Sequence, residues 1–274
     1  MKKRRLSSEP RKAAKAPLGT IDRPTADSLV ERLQATASAE RAAKSIQYMQ
    51  AIPGGYGEGD HFLGNAVPEL RAAAKDFADL PRVELRKAIQ SKWHECRLAA
   101  VFILVHQFDQ CRKRVRRGIA EPCEVDLTVD FYIEQLPSIN NWDLVDSSSP
   151  KILGIWLFDR PDQRPILKKL IATERRGFGN LENMWKQRVA VLATMPLIKD
   201  SQFAEILELA EHFLTHPHDL MHKAVGWMLR ELGKRDMEVL RSFLSAHASD
   251  MPRTMLRYSI EKMAPRERSQ WLAS

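Results

Sequence analysis

Trp142 and Asp146 stand four residues apart in Asn141-Trp142-Asp143-Leu144-Val145-Asp146, a spacing that sets an indole and a carboxylate one helical turn from each other. With Val145 at the centre of the buried stripe, Ser149, Ile152 and Trp156 fall within about 40° of it, and Trp142 and Asp146 lie about 60° and about 100° round the same side. Both belong at the rim of the buried face, where a side chain is held firmly and can still meet a ligand. Pro150 lacks the N–H that would bond the Asp146 carbonyl, so the helix is expected to kink at Asp146. Near a helix N-terminus this carboxylate is expected to be ionised at neutral pH, suited to stabilising positive charge and not to donating a proton. The plainer alternative is that Asn141 caps the helix, Asp143 answers its dipole and Asp146 is merely solvated.

Arg188 interrupts an apolar stripe of Met184, Trp185, Val191, Leu192 and Met195, so it needs an anion: either an internal carboxylate or a phosphate. Trp227 points away from the apolar face of Met221, Val225, Met228, Leu229 and Leu232, and sits among Lys223, Arg230, Glu231 and Lys234. It either packs on a second helical layer or stacks against a nucleic acid. His218 and His222 share a helix face, but first-turn capping explains them better than a metal lacking an evident third ligand. Neither a metal nor any other cofactor is expected.

These residues need helices to position them. Apolar side chains recur at helical spacing throughout, with no period-two strand. The spacing predicts helices over 26 to 51, 67 to 78, 81 to 90, 93 to 108, 124 to 136, 142 to 158, 162 to 172, 182 to 197, 201 to 214, 218 to 233, 236 to 247, 252 to 263 and 265 to 272. Pro68, Pro81, Pro217 and Pro252 mark first turns, and Gly177 and Gly179 break the chain before another helix. Short helices paired every roughly 35 to 45 residues imply an all-α fold, a curved α-solenoid of HEAT-like antiparallel helix pairs with a concave face. Pro53-Gly54-Gly55-Tyr56-Gly57-Glu58-Gly59-Asp60 must be a mobile or tightly turned loop, and it is no nucleotide fingerprint, lacking both the preceding strand and a Lys-Ser/Thr.

The 274 residues carry a net charge of +8, but residues 1 to 18 hold +6 of it through Lys2, Lys3, Arg4, Arg5, Arg11, Lys12 and Lys15 against Glu9. A body of only +2 must bind anions through local clustering. The tail is too poor in apolar residues to fold and is not a secretory signal, so residues 1 to 20 are expected to be disordered and 21 to 274 to form one helical domain. No uncharged apolar run approaches the roughly 18 residues of a membrane span. Cys96, Cys111 and Cys123, never spaced as a metal or redox pair, fit a reducing cytoplasm.

Over most of residues 40 to 272 the chain resembles the AlkD-type DNA alkylation repair glycosylases, a HEAT-like-repeat family. The similar stretches are Ile139 to Asp146, Trp185-Lys186-Gln187-Arg188, His218 to Glu231, and Met251 to Tyr258. The resemblance implies that Asp146 is the catalytic carboxylate, Trp142 and Trp227 the aromatic site walls, Arg188 a DNA-contacting arginine, Tyr48 an aromatic near the lesion and Arg230 a further DNA contact. Lys223, beside Trp227, is expected to bind DNA as well. It implies a monomer acting near the nucleoid on double-stranded DNA that contains alkylated purines. The implied activity is hydrolysis of the N-glycosidic bond of cationic adducts such as 7-methylguanine and 3-methyladenine, without flipping of the base. Two departures are the long glycine-rich loop and Pro196, which replaces a basic residue of some members. The competing reading is a HEAT-like scaffold that binds DNA or a protein without chemistry.

Overall fold

The computed structural model describes residues 23–172 and 181–273. The expected disordered tail, Gly177 and Gly179 lie outside them. Within them the chain is helical. Its first part holds α1 (Ala26–Gln34), α2 (Ala39–Tyr48), α3 (Val67–Asp76), α4 (Arg82–Ile89), α5 (His94–Arg116) and α6 (Pro122–Glu134). The middle holds α7 (Trp142–Ser148), α8 (Leu153–Asp159), α9 (Ile166–Ile171), α10 (Leu181–Ala193) and α11 (Met195–Lys199). The remainder is α12 (Ala204–His212), α13 (Asp219–Gly233), α14 (Met237–His247), α15 (Arg253–Ser259) and α16 (Pro265–Ala273).

Packing follows chain order, as in an α-solenoid. Helices α5, α7, α10, α13 and α15 form one row, each against the next, while α4, α6, α8 and α14 pack on members of that row. Buried side chains from Ala26 to Met263 form a connected apolar core between them. Because the row sets helices from distant parts of the chain side by side, side chains far apart in sequence meet along it.

Where helix boundaries differ most from expectation, the reason is local. The helix expected over 26 to 51 is two: Thr36 and Ala37 turn back on Leu33 and Gln34, and the Ser38 hydroxyl caps α2 by accepting from the Arg41 N–H at 3.4 Å. Helix α5 runs past 108 because its polar last turns are simply solvated. It stops in a Schellman arrangement, with Gly118 at φ 68° and the Ile119 N–H bonded to the Arg114 carbonyl at 2.9 Å. Pro196 ends α10 early and begins α11.

The expected kink at Asp146 is instead a break. Helix α7 ends at Ser148, and the Gly154 N–H bonds the Ser149 carbonyl at 2.9 Å as α8 begins. Pro150 thus ends the helix outright and frees the two halves to take different directions.

Candidate active site

One cleft of about 420 Å3 opens between α7, α10, α13 and α15. Helix α7 supplies Trp142 and Asp146, α10 Arg188, α13 Lys223, Trp227 and Arg230, and the end of α2 Tyr48. All seven residues selected from the sequence therefore line one space, although they span 183 positions from Tyr48 to Arg230 inclusive. The volume suits a nucleoside-sized group.

At its floor the Arg188 guanidinium grips the Asp146 carboxylate with two hydrogen bonds, Nε to Oδ1 at 2.9 Å and Nη2 to Oδ2 at 2.8 Å. Its Nη1 donates to the Leu220 carbonyl at 2.6 Å, tying the pair to the first turn of α13. Arg188 is buried and Asp146 half-buried, with side-chain exposures of 6% and 20%. Of the two anions considered for Arg188, the internal carboxylate is the one that it meets in this structure. Asp146 is not merely solvated either. Burial pushes its carboxyl above the usual aspartate value, and Arg188 opposes that rise. The charged form is held by this fork, and not by the helix dipole alone.

Aromatic rings wall the opening. Tyr48, 69% exposed, meets Trp142 edge-on at 5.9 Å between centroids. Trp227, half-buried, donates its indole N–H to Glu231 at 3.2 Å. Two further tyrosines escaped the sequence reading. Tyr258 lies on α15, and Tyr56 stands in the glycine-rich loop, edge-on to the buried Trp185 at 6.1 Å. An aromatic embedded among glycines was the available signal for Tyr56. Burial raises its phenol pKa, with Trp142 and Lys223 opposing the shift.

That loop is tightly turned. A Cβ on Gly57 would lie 2.3 Å from the Met49 carbonyl oxygen and 3.3 Å from Asn141 Nδ2, so only glycine lets the loop close on the start of α7. On the opposite side, a Cβ on Gly226 would lie 2.6 Å from both the Met255 oxygen and Tyr258 Cβ, so α13 and α15 meet backbone to backbone. This contact sets Tyr258 beside Trp227 at the mouth.

The cations of the mouth are already paired. Lys223 bonds Asp219 at 2.7 Å, and Arg230 bonds Glu261. His218 is the capping group, accepting from the Leu220 N–H at 3.1 Å, whereas His222 donates to the His216 carbonyl at 2.5 Å. No cluster of potential metal ligands occurs among the described residues. Pro196 packs against Gly154, away from the cleft lining.

The feature least visible in the sequence lies behind Trp142. His94, 2% exposed at the start of α5, bridges two carboxylates, Asp60 through Nδ1 at 2.9 Å and Asp143 through Nε2 at 2.8 Å. Arg97, one turn on, pairs with Asp60 and donates to Asn140 Oδ1 at 2.5 Å. Asp143 is thus a buried partner and not a solvated dipole group. Burial pulls the imidazole down, but Asp143 and Asp60 overcome this and raise it to about 9. His94, Glu95 and Arg97, opening a helix that is apolar from Leu98 to Val105, were the overlooked sign.

A family model described as DNA alkylation repair enzyme matches residues 29–263. The fold is similar to a solved structure of a predicted DNA alkylation repair enzyme from Enterococcus faecalis, at TM-score 0.61 and 18% identity, covering 84% of this chain and 98% of that one. No curated protein matches the chain. Among the described residues no helix is long and apolar enough to cross a membrane.

Proposed function

Because the chain belongs to the DNA alkylation repair enzyme family, we propose that it is a monofunctional DNA glycosylase that hydrolyses the N-glycosidic bond of cationic N3- or N7-alkylated purines in duplex DNA. The observation that supports this most is the Asp146 carboxylate held by Arg188 at the floor of an aromatic-walled cleft.

Alkylation at N3 or N7 gives the purine a formal positive charge and weakens its bond to C1′. When that bond breaks, its electron pair neutralises the base and leaves an oxocarbenium-like sugar. Asp146 stabilises that positive charge, directs a water to C1′ and takes the proton the water sheds, giving free base and an abasic sugar. Trp142 and Trp227 present ring faces whose attraction for the sugar grows as its charge develops. Arg188 acts through Asp146, fixing both carboxylate oxygens. Lys223 and Arg230 exchange their carboxylate partners for DNA phosphates, and Tyr48 packs near the lesion.

Because the leaving group is already cationic, a dedicated acid is unnecessary, and substrate choice follows lability of the bond. Acting as a monomer on DNA at the nucleoid completes this reading. A non-catalytic scaffold would gain nothing from an ionised carboxylate facing DNA. The test is to incubate the protein with methylated duplex DNA in chelator and quantify released bases. We expect 7-methylguanine and 3-methyladenine to appear well ahead of a neutral lesion such as hypoxanthine. Tight DNA binding with no base released would favour the scaffold.

A further inference from the structure

The glycine-rich loop, the start of α5 and the start of α7 are joined by a buried charged network, none of whose members lines the cleft. Its members alternate in sign: Asp60 ends the loop, His94 and Arg97 belong to α5, and Asp143 follows Trp142. Nearby contacts point the same way. Asn141 Nδ2 donates to Asp60 at 3.4 Å, the His94 N–H bonds the His61 carbonyl at 2.8 Å, and Phe62 stacks on the His94 ring at 5.0 Å. Glu95 accepts from the Leu63 and Gly64 N–H groups at 2.9 and 2.8 Å.

Hydrophobic packing alone does not require this arrangement, since burying four charged groups is costly unless each is fully partnered. What the network achieves is geometric. Asp60 follows Tyr56 by four residues, Asp143 adjoins Trp142, and Asp146 is one turn further along α7. A rigid link between Asp60 and Asp143 therefore fixes two cleft walls relative to each other and to the carboxylate between them.

We propose that His94 and Arg97 are positioning residues for the cleft: by bridging Asp60 to Asp143 and Asn140, they lock the Tyr56 loop against the Trp142 end of α7 before any substrate arrives. The loop is thus a preset wall and not a lid, and the positioning role in catalysis rests on the glycosylase reading above. A displacement of about 1 Å in such a wall costs about 100-fold in rate when the reacting groups are preorganised.

Full-length His94→Gln and Asp143→Asn test this; the second keeps a hydrogen-bond acceptor and guards against simple misfolding of the first. Amide hydrogen exchange is measured without DNA, together with single-turnover release of 7-methylguanine and affinity for methylated duplex. The expected result is faster exchange confined to residues 50 to 60 and 139 to 147. Release should fall by about 10- to 100-fold, with DNA affinity within about threefold of the parent. Unchanged exchange in both segments, exchange accelerated throughout α13 as well, or a wild-type release rate despite a loosened loop would each overturn the proposal. If the parent releases no base at all, the glycosylase reading fails, and the exchange pattern still decides whether the network holds the walls.

Discussion

Arg188 reaches from α10 to α7 and holds Asp146 by both oxygens, at 2.9 and 2.8 Å. The pair joins two helices of the row and aims a carboxylate into the cleft, so it has a structural and a chemical consequence at once.

The structural one is stability. Removing the arginine leaves a half-buried carboxylate without its partner, and breaking such a pair costs about 3 kcal/mol or more. Arg188→Ala should lower urea-denaturation stability by that order, and Asp146→Asn/Arg188→Ala together should cost less than the two singles added. Strict additivity of the two singles would show that the pair is not coupled.

The chemical one is acid sensitivity. Burial raises the Asp146 carboxyl above the usual aspartate value, so base release should decline on acidification with a midpoint above that value. Arg188→Lys, which replaces a fork by a point charge, should move the midpoint higher still. A pH–rate profile of single-turnover release measures both.

Stability at alkaline pH should depend on His94, which faces Asp60, Asp143 and Arg97. Its folded pKa is raised to about 9 from 6.5, so its contribution is fully present below pH 6.5 and is lost as pH rises through about 9. The wild type should lose denaturation free energy across that window, and His94→Gln should lose much less. Equal slopes for the two proteins would contradict the assignment.

Much of this organisation was legible in the sequence, because apolar periodicity at 3.6 residues reports burial directly. The helical class, the Trp142/Asp146 spacing and the odd placement of Arg188 were all readable from it. Residues related through tertiary contact were not. Nothing near Arg188 in sequence says that its anion is Asp146, 42 positions earlier. Asp143 looked like a dipole group because His94 lies 49 residues away. Tyr56 and Tyr258 enter the cleft only because Gly57 and Gly226 let backbones meet, and close approach leaves no periodic trace.

Those glycines are testable in turn. Gly226→Ala must push α15 from α13, an overpacking cost of about 1–3 kcal/mol, and should shift Tyr258 away from Trp227. Lower thermal stability with weakened DNA binding is expected, and an unaltered melting temperature would show that the helices can yield.

Phosphate contact at the mouth predicts a salt signature. Lys223→Ala should weaken binding to methylated and unmethylated duplexes alike and reduce the slope of log affinity against log salt by about 1. A slope unchanged from wild type would place Lys223 outside the DNA contact.

The most direct measurement is single-turnover release of 7-methylguanine from duplex DNA by wild type and Asp146→Asn, in chelator, with DNA affinity determined on the same preparations. The account predicts release by the wild type, loss of about 100-fold or more in the variant, and affinities that agree within a few-fold. Release by Asp146→Asn at the wild-type rate would contradict it, because the carboxylate gripped by Arg188 would then have no part in the chemistry.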